Sequence, residues 1–140
     1  MKRFWVDVRP WRKDLATAAI ESGADALAVD DAGRVRELGR VATVAENGDL
    51  VPGKDVFEVE IVDKATEEEA LRLSREGLVV VRTRDWTVIP LENLVAQSDR
   101  IIAAVASADE AAVTLTVLER GAAGVLLSTD DPAVSAARTA

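Results

Sequence analysis

Residues 19–29 read AIESGADALAV, and this stretch contains the pattern that decides the fold. Its first part ends an amphipathic helix predicted over residues 11–22, and Gly23 fits the position just past the end of that helix. Its second part is a short apolar run of the kind that forms a buried strand. Residues 117–127, VLERGAAGVLL, repeat the same plan. Two copies of one helix-to-strand step indicate a chain built from repeated βα units.

Short apolar runs alternate with amphipathic stretches along the whole chain. The predicted strands are residues 4–8, 25–30, 40–45, 56–63, 78–83, 101–106 and 124–129. The predicted helices are residues 11–22, 32–38, 66–76 and 90–97, one that ends before Gly121, and one that starts at Asp131 and Pro132. Thr66 and the glutamates 67–69 after it indicate a capping box, and these glutamates are expected to form an exposed first turn.

Strands that alternate with short helices predict an α/β fold of repeated βα units with a mostly parallel sheet. This repetition favours a (β/α) barrel, but a complete barrel takes about 250 residues. The 140 residues are therefore expected to form an incomplete, or partial, (β/α) barrel as a single α/β domain over residues 1–140. No strand follows the last predicted helix to close the sheet, so we expect the domain to be the N-terminal part of a longer enzyme.

The composition excludes several classes of function. The formal net charge is -8 and no basic stretch is present, so neither nucleic acid nor a membrane is an expected partner. The chain has no histidine and no cysteine, which excludes a Ser-His-Asp triad and thiolate chemistry. Proton transfer must then use Asp, Glu, Lys or water. No apolar run approaches the roughly 20 residues that span a bilayer, so a cytoplasmic protein is expected.

Charged residues follow several predicted strands, and in parallel α/β folds the catalytic groups lie at the carboxyl ends of strands. Asp7 lies in the first strand, and Arg82, Arg84 and Asp85 lie at the end of the fifth. Guanidinium groups bind carboxylate or phosphate with two parallel hydrogen bonds, and a carboxylate at this position can act as a base. Arg84, Asp85 and Trp86 together have no obvious packing role, so a site and a packing function both stay open for them.

Other residues of interest have simpler explanations. Asp30 and Asp31 are expected to cap the helix that follows them, and Lys64 is expected to be solvated. Trp5 and Trp11 are expected to pack in the core and on the surface. No glycine-rich dinucleotide fingerprint, P-loop or metal-ligand spacing is present in the sequence, so neither a cofactor-binding residue nor a metal site is assigned.

Residues 84–96, RDWTVIPLENLVA, resemble the R-D-W-T-I-I-P-L-E-N-L-I-A motif of the archaeal-type, or type II, 3-dehydroquinate synthases. This motif is long and chemically unusual, which makes it specific. Weaker matches to the same family run from end to end of the chain. They are Lys2, Trp5 and Val6, the segment 104–110, residues 119–121 and residues 124–127.

The resemblance implies a reaction and a cofactor. Members of this family are NAD-dependent oxidoreductases that act on 2-amino-3,7-dideoxy-D-threo-hept-6-ulosonate. The amine is oxidised by NAD⁺, ammonia leaves, and an internal aldol reaction closes the diketone to 3-dehydroquinate, which enters the shikimate pathway to aromatic amino acids. The expected ligands are therefore NAD and a small amino sugar acid. Family members are more than twice as long as this chain, so a C-terminal domain or a second copy of the chain is an expected partner.

The resemblance also suggests roles for residues around the motif. We expect Arg84 or Arg82 to bind the substrate carboxylate, and Asp85 or Asp7 to act as the base. Arg84, Asp85 and Asp7 are thus candidate catalytic residues, and Arg82 is a candidate for substrate binding.

Three further residues of the motif complete the predicted site. Glu92 and Asn93 are expected to hold hydroxyl groups, with Glu92 among the catalytic residues, and Trp86 is expected to lie against the substrate ring or the nicotinamide. Two other interpretations stay open. In the first, the chain is part of a relative that forms an aminohydroxybenzoate from a similar substrate. In the second, it is a truncated α/β domain without catalytic activity.

Overall fold

A computed structural model describes residues 3–83, 94, 96–106 and 124–128, and these ranges contain seven strands and three helices. The strands are β1 Arg3–Asp7, β2 Ala26–Ala28, β3 Ala42–Val44, β4 Val56–Ile61, β5 Leu78–Thr83, β6 Ile101–Val105 and β7 Gly124–Leu127. The helices are α1 Lys13–Glu21, α2 Ala32–Arg36 and α3 Lys64–Leu73. Each predicted strand is present, with ends that differ from the prediction by up to two residues.

The seven strands form one parallel sheet in the order β3-β2-β1-β7-β6-β5-β4. Except for β3 and β4, consecutive strands are neighbours in this order, and β7 pairs with β1, as in a (β/α) barrel. Among the described strands, the ring is interrupted only between β3 and β4. The predicted α/β partial barrel is therefore confirmed. Its open edge lies in the middle of the chain and not after the last strand, where the sequence pattern suggests it.

Residues 45–55 connect β3 to β4 and contact both edges of the opening. Leu50 forms an isolated bridge with Val44 of β3, and Pro52 forms one with Val56 of β4. The amide of Leu50 and its carbonyl oxygen both bond to the β3 segment, with N···O distances of 2.9 and 3.0 Å. One short segment thus satisfies backbone groups of both edge strands, which would otherwise be exposed to pairing with other chains.

Apolar side chains fill both faces of the sheet because successive residues of a strand point to opposite faces. The outer cluster joins the sheet to the three helices, and its members include Val6, Leu15, Val35, Ala70 and Val79. The inner cluster contains residues of the strands and of the segment before β4, but none from the three helices. Its members include Trp5, Ala28, Val80, Ile102 and Leu126. The inner face is therefore the interior of the partial barrel.

The turn after α1 explains why the stretch 19–29 determines the fold. Gly23 has a φ of 84°, which a side chain disfavours, and its amide donates to the Ile20 carbonyl at 3.1 Å. The chain then enters β2 through Asp25. The Asp25 amide donates to the Phe4 carbonyl at 2.8 Å, and the Phe4 amide donates to the Asp25 carboxylate at 2.7 Å. The end of α1 and the start of β2 are thereby fixed against β1.

Helix α3 begins two residues earlier than the prediction of 66–76 and ends three residues earlier. Asp63, not Thr66, is the N-cap: its carboxylate accepts the Thr66 amide at 2.9 Å, and the Thr66 hydroxyl accepts the Asp63 amide at 3.1 Å. This start places Glu67 on the same side as Ala70, so Glu67 is only 8% exposed. The prediction of an exposed first turn is therefore wrong for Glu67.

The remaining predicted helices are described only in part. Leu94, Ala96 and Gln97 are helical, in agreement with the helix predicted over residues 90–97. The two helices predicted around Gly121 and after Asp131 lie outside the described residues. None of the helices in the described part of the chain has the length and apolar character needed to cross a membrane.

The pairing of β1 with β7 requires a glycine at position 124. A Cβ atom there would collide with the carbonyl oxygen of Arg3. We expect Gly124→Ala to lower the free energy of unfolding by about 1–3 kcal/mol, because the two strands would have to separate locally. Gly39→Ala is the matched control, since its Cβ would meet Ile20 at an ordinary distance of 3.7 Å. Urea denaturation of both variants measures the difference, and equal stabilities would contradict this account.

Candidate functional site

The inner face of the sheet changes from apolar to charged toward the carboxyl ends of the strands. The apolar positions belong to four strands and are Trp5, Val56, Val80 and Leu126. Two residues further along each chain segment, the same face carries a polar side chain. These polar positions are Asp7, Glu58, Arg82 and Ser128. The interior of the barrel thus has an apolar floor and a polar layer above it.

The three charged side chains of this layer, Asp7, Glu58 and Arg82, form a closed cycle with Arg9. These four residues are named here the charged ring. Arg9 donates to both carboxylate oxygens of Asp7, at 2.7 Å through Nε and 3.0 Å through Nη2. Arg9 and Arg82 both donate to Glu58 Oε1, at 3.0 and 3.1 Å. Arg82 Nη2 lies 3.5 Å from Asp7 Oδ2, which closes the cycle. The Ser128 hydroxyl also donates to Asp7 Oδ2, at 3.2 Å.

The charged ring requires a curved sheet. Strands β1 and β4 stand four positions apart in the sheet order. At about 4.8 Å between neighbouring strands, a flat sheet would separate them by about 19 Å. Arg9 nevertheless lies 3.0 Å from Glu58. The ion pair therefore reports directly that the sheet curls around its inner face.

The contact between Asp7 and Arg9 is established locally. The Arg9 amide donates to Asp7 Oδ1 at 3.2 Å, a bond from a backbone amide to the aspartate two residues earlier. This bond turns the chain as it leaves β1 and directs the Arg9 side chain back over Asp7. The other members of the ring come from β4 and β5, more than 45 residues further along, since Arg9 and Glu58 are 49 residues apart.

The charged ring shifts the pKa of Arg9 and of Glu58 in the direction that favours the charged form of each side chain. Hydrogen bonding to Asp7 raises the pKa of Arg9, and partial burial opposes this effect only in part. Partial burial alone would raise the pKa of Glu58, but hydrogen bonds and charge from Arg9 and Arg82 outweigh it and hold that pKa below its ordinary value. The side chain of Asp7 is 12% exposed and that of Glu58 is 40% exposed.

Two of the seven predicted site residues lie in the described part of the chain, and the fold brings them together. These are Asp7 and Arg82, from β1 and β5. The prediction that both belong to one strand-end cluster agrees with this geometry, while their roles stay predictions. The other five lie outside the described residues. They are Arg84, Asp85, Trp86, Glu92 and Asn93.

Three members of the cluster are absent from the predicted site: Arg9, Glu58 and Ser128. Each carried a signal in the sequence. Arg9 follows Asp7 by two residues, and Ser128 follows the last apolar strand directly. Glu58 lies in the alternating segment VFEVEIVD, whose polar face is expected to be wet. The alternation of apolar and acidic residues does not show that the acidic face points into the barrel.

The simpler explanations given for four other residues agree with the structure, but the capping role expected for Asp30 does not, because the N-cap of α2 is Asp31. The Asp31 carboxylate caps α2 by accepting the Gly33 amide at 2.9 Å. Lys64 is exposed, with its Nζ 3.7 Å from Glu67. Trp5 is buried in the inner cluster, and Trp11 packs at the edge of the outer cluster.

A partial (β/α) barrel with a charged site at the carboxyl ends of its strands has the architecture of an α/β enzyme domain. Comparison with known proteins identifies the family. Residues 1–138 match the family model described as 3-dehydroquinate synthase II N-terminal domain, and the chain belongs to this family. The resemblance carried by residues 84–96 is thereby confirmed.

Individual relatives agree with this assignment. The chain is 83% identical over 133 residues to a 3-dehydroquinate synthase of Methanoculleus marisnigri, a match that covers 95% of this chain and 40% of the relative. It is 62% identical over 134 residues to a 3-dehydroquinate synthase of Methanosphaerula palustris, covering 96% and 41%. A 3-dehydroquinate synthase homolog of Aquifex aeolicus is 45% identical over 134 residues, covering 94% and 40%. The chain therefore spans about 40% of the length of the curated relatives it matches.

The lowered pKa of Glu58 predicts a pH-dependent contribution of the charged ring to stability. This contribution is complete above the ordinary glutamate value of 4.5 and is lost as the pH falls through the lower pKa of the folded state. We expect Glu58→Gln to cost at most about 1 kcal/mol near neutral pH, because the carboxylate is partly exposed. The difference should shrink as the pH falls below 4.5 and disappear once Glu58 is protonated in the folded state as well.

Urea denaturation of the wild type and of Glu58→Gln over this pH range measures the effect. Glu68→Gln, an equal change of charge at an exposed position of α3, serves as the control and should show no such trend. A difference between wild type and Glu58→Gln that stays constant through the acid range below pH 4.5 would contradict a role for the Glu58 charge.

Proposed function

We propose that this chain forms the carboxylate-binding part of the active site of a type II 3-dehydroquinate synthase. The reaction is the NAD-dependent oxidative deamination of 2-amino-3,7-dideoxy-D-threo-hept-6-ulosonate, followed by cyclisation to 3-dehydroquinate in the shikimate pathway. The observation that supports this proposal most is the convergence of Arg9 and Arg82 on one carboxylate oxygen inside the barrel, at 3.0 and 3.1 Å. Membership of the 3-dehydroquinate synthase II N-terminal domain family supports the assignment to this class of enzyme.

The substrate carboxylate is proposed to bind to Arg82, with Arg84 as a second candidate from the segment that follows β5. Hydrogen bonds between a guanidinium and a carboxylate are stronger than neutral ones and fix the orientation of the bound group. The apolar floor around Trp5 lies two residues below Asp7 on the same face and limits how deeply the substrate enters. Glu92 and Asn93 retain their proposed role of holding hydroxyl groups.

Asp85 is the favoured base of the two candidates. Asp7 accepts hydrogen bonds from Arg9 on both oxygens and from Ser128 on one. Its lone pairs are thus already used to hold neighbouring side chains, which suits a positioning role. Asp85 lies in the resembling motif, three residues after Arg82 in sequence, and keeps its proposed role as the base.

NAD⁺ supplies the hydride acceptor when it is bound. In dinucleotide-binding folds the pyrophosphate lies against a glycine-rich turn between the first strand and the first helix. Here that connection, residues 8–12, has the sequence VRPWR and contains no glycine. This segment therefore does not fit a dinucleotide in that manner. The roles proposed for Arg82, Asp7 and Asp85 concern the amino sugar acid alone, with Trp86 as a candidate wall for the substrate ring or the nicotinamide.

Incubation of the 140-residue chain with the aminoheptulosonate and NAD⁺ tests the proposed function directly. Formation of reduced nicotinamide, measured by its absorbance, would show that this chain holds a working site. Mass spectrometry of the product would separate 3-dehydroquinate from an aminohydroxybenzoate. The full-length Methanoculleus relative is the control for the substrate and the conditions.

The length of the relatives favours one alternative specifically. Because the chain spans about 40% of their length, an inactive chain beside an active relative would place essential groups in the part that this chain lacks. If the relative is inactive as well under conditions in which substrate and NAD⁺ are intact, the proposed reaction is wrong.

Substrate binding without turnover tests the role of Arg82. We expect Arg82→Gln to raise the Kd of the aminoheptulosonate by about 10- to 100-fold, because the variant loses one pair of charged hydrogen bonds to the ligand. Isothermal titration calorimetry of the chain without NAD⁺ measures this change. Arg72→Gln is the control, because Arg72 pairs with Glu69 on the exposed side of α3. Equal affinities of the two variants would remove Arg82 from the binding site.

A further inference from the structure

Glu58 occupies the point at which the two guanidinium groups of the charged ring meet. Its Oε1 atom accepts from Arg9 Nη2 at 3.0 Å and from Arg82 Nη2 at 3.1 Å. The arginines belong to segments that the sheet order separates by two strands, and only the curvature of the sheet brings them to one oxygen. A carboxylate between two arginines is the arrangement that a carboxylate ligand would itself adopt.

We propose that Glu58 is an internal occupant of a carboxylate subsite formed by Arg9 and Arg82, and that a ligand carboxylate binds there by displacing it. This inference deepens the proposed function and rests on it for the identity of the natural ligand. It adds Arg9 as the second ligand-binding cation and Glu58 as a residue that lowers affinity by competing for the same donors.

The two carboxylates of the ring differ in how firmly they are held. Asp7 is 12% exposed, pairs with the Arg9 side chain through two parallel bonds, and also accepts from the Arg9 amide and the Ser128 hydroxyl. Glu58 is 40% exposed and projects from β4, a strand at the edge of the sheet. A rotation about its own side-chain bonds can move the Glu58 carboxylate into water. Asp7 is therefore the fixed support of Arg9, and Glu58 is the group that leaves.

Charge balance specifies the class of ligand. The ring contains two arginines and two carboxylates and has a formal charge of zero. Exchange of Glu58 for one ligand carboxylate preserves this balance at the guanidinium groups, whereas a neutral ligand would leave two cations facing one anion. A dianion such as a phosphate monoester would over-compensate them. The subsite therefore suits a monocarboxylate, the group that an amino sugar acid carries.

Competition by Glu58 makes a quantitative prediction. When a binding-competent state is only partly populated, the apparent affinity equals the intrinsic affinity multiplied by the populated fraction. If Glu58 occupies the arginines about nine-tenths of the time, its removal raises the affinity for a carboxylate by about 10-fold. The same internal group keeps both guanidinium groups oriented and paired before the ligand arrives.

Titration of the 140-residue chain with sodium acetate, at constant ionic strength and without NAD⁺ or substrate, tests the proposal. The readout is the ¹⁵N–¹H resonance of the Nε group of Arg9 and of Arg82 in nuclear magnetic resonance spectra. In Glu58→Gln we expect acetate to bind about 10-fold more tightly than in the wild type. Glu68→Gln, which changes the net charge equally at an exposed site on α3, should leave the acetate affinity unchanged.

A second variant covers the case in which Glu58→Gln does not fold. Glu58→Asp keeps the charge but withdraws the carboxylate from the arginines by one methylene, and it should give a smaller gain in acetate affinity. Equal acetate affinity of the wild type and of the folded variants would overturn the proposal. An equal gain for chloride would overturn the assignment to carboxylates. Because neither NAD⁺ nor turnover enters this titration, its failure is distinguishable from failure of the proposed reaction.

Discussion

Curvature of the parallel sheet is the constraint on which the rest of the structure depends. In this sheet β7 pairs with β1, which makes neighbours of strands from opposite ends of the described chain. That pairing is possible because Gly124 leaves room for the backbone of Arg3. Curvature then carries Arg9 and Glu58, on strands four positions apart, to within 3.0 Å of each other. The curvature of the whole sheet therefore determines a contact between side chains that are 49 residues apart.

The layered interior explains how four charges can share one barrel. Burying an ion pair fully costs more in desolvation than the attraction returns unless the geometry is very good. The charged ring avoids this cost because it lies above the apolar floor at the open end of the strands, where Glu58 is 40% exposed. The least exposed carboxylate, Asp7, receives the most hydrogen bonds. Burial and hydrogen bonding thus increase together across the ring.

Local sequence patterns predicted the strands and helices. Contacts between residues far apart in sequence determine how these strands and helices come together. The apolar runs, Gly23 and the repeated step of residues 19–29 and 117–127 are short-range signals, and they predicted the parallel α/β sheet. The capping box was misplaced because Asp63 and Thr66 satisfy the same spacing as Thr66 and Glu69. The charged ring was half predicted, through Asp7 and Arg82. Its other half depends on sheet curvature, which joins residues 49 positions apart and leaves no local pattern.

The proposed binding of a carboxylate is compatible with an acidic chain, because net charge and hydrogen bonding act over different distances. The net charge of -8 is spread over the whole chain, and salt screens its effect beyond roughly 10 Å. The arginines of the ring act at hydrogen-bond distance, where screening is weak and geometry dominates. An internal carboxylate also keeps these arginines paired when no ligand is bound, so they attract few other anions. In the proposed subsite, selectivity comes from which anion replaces Glu58 at equal charge.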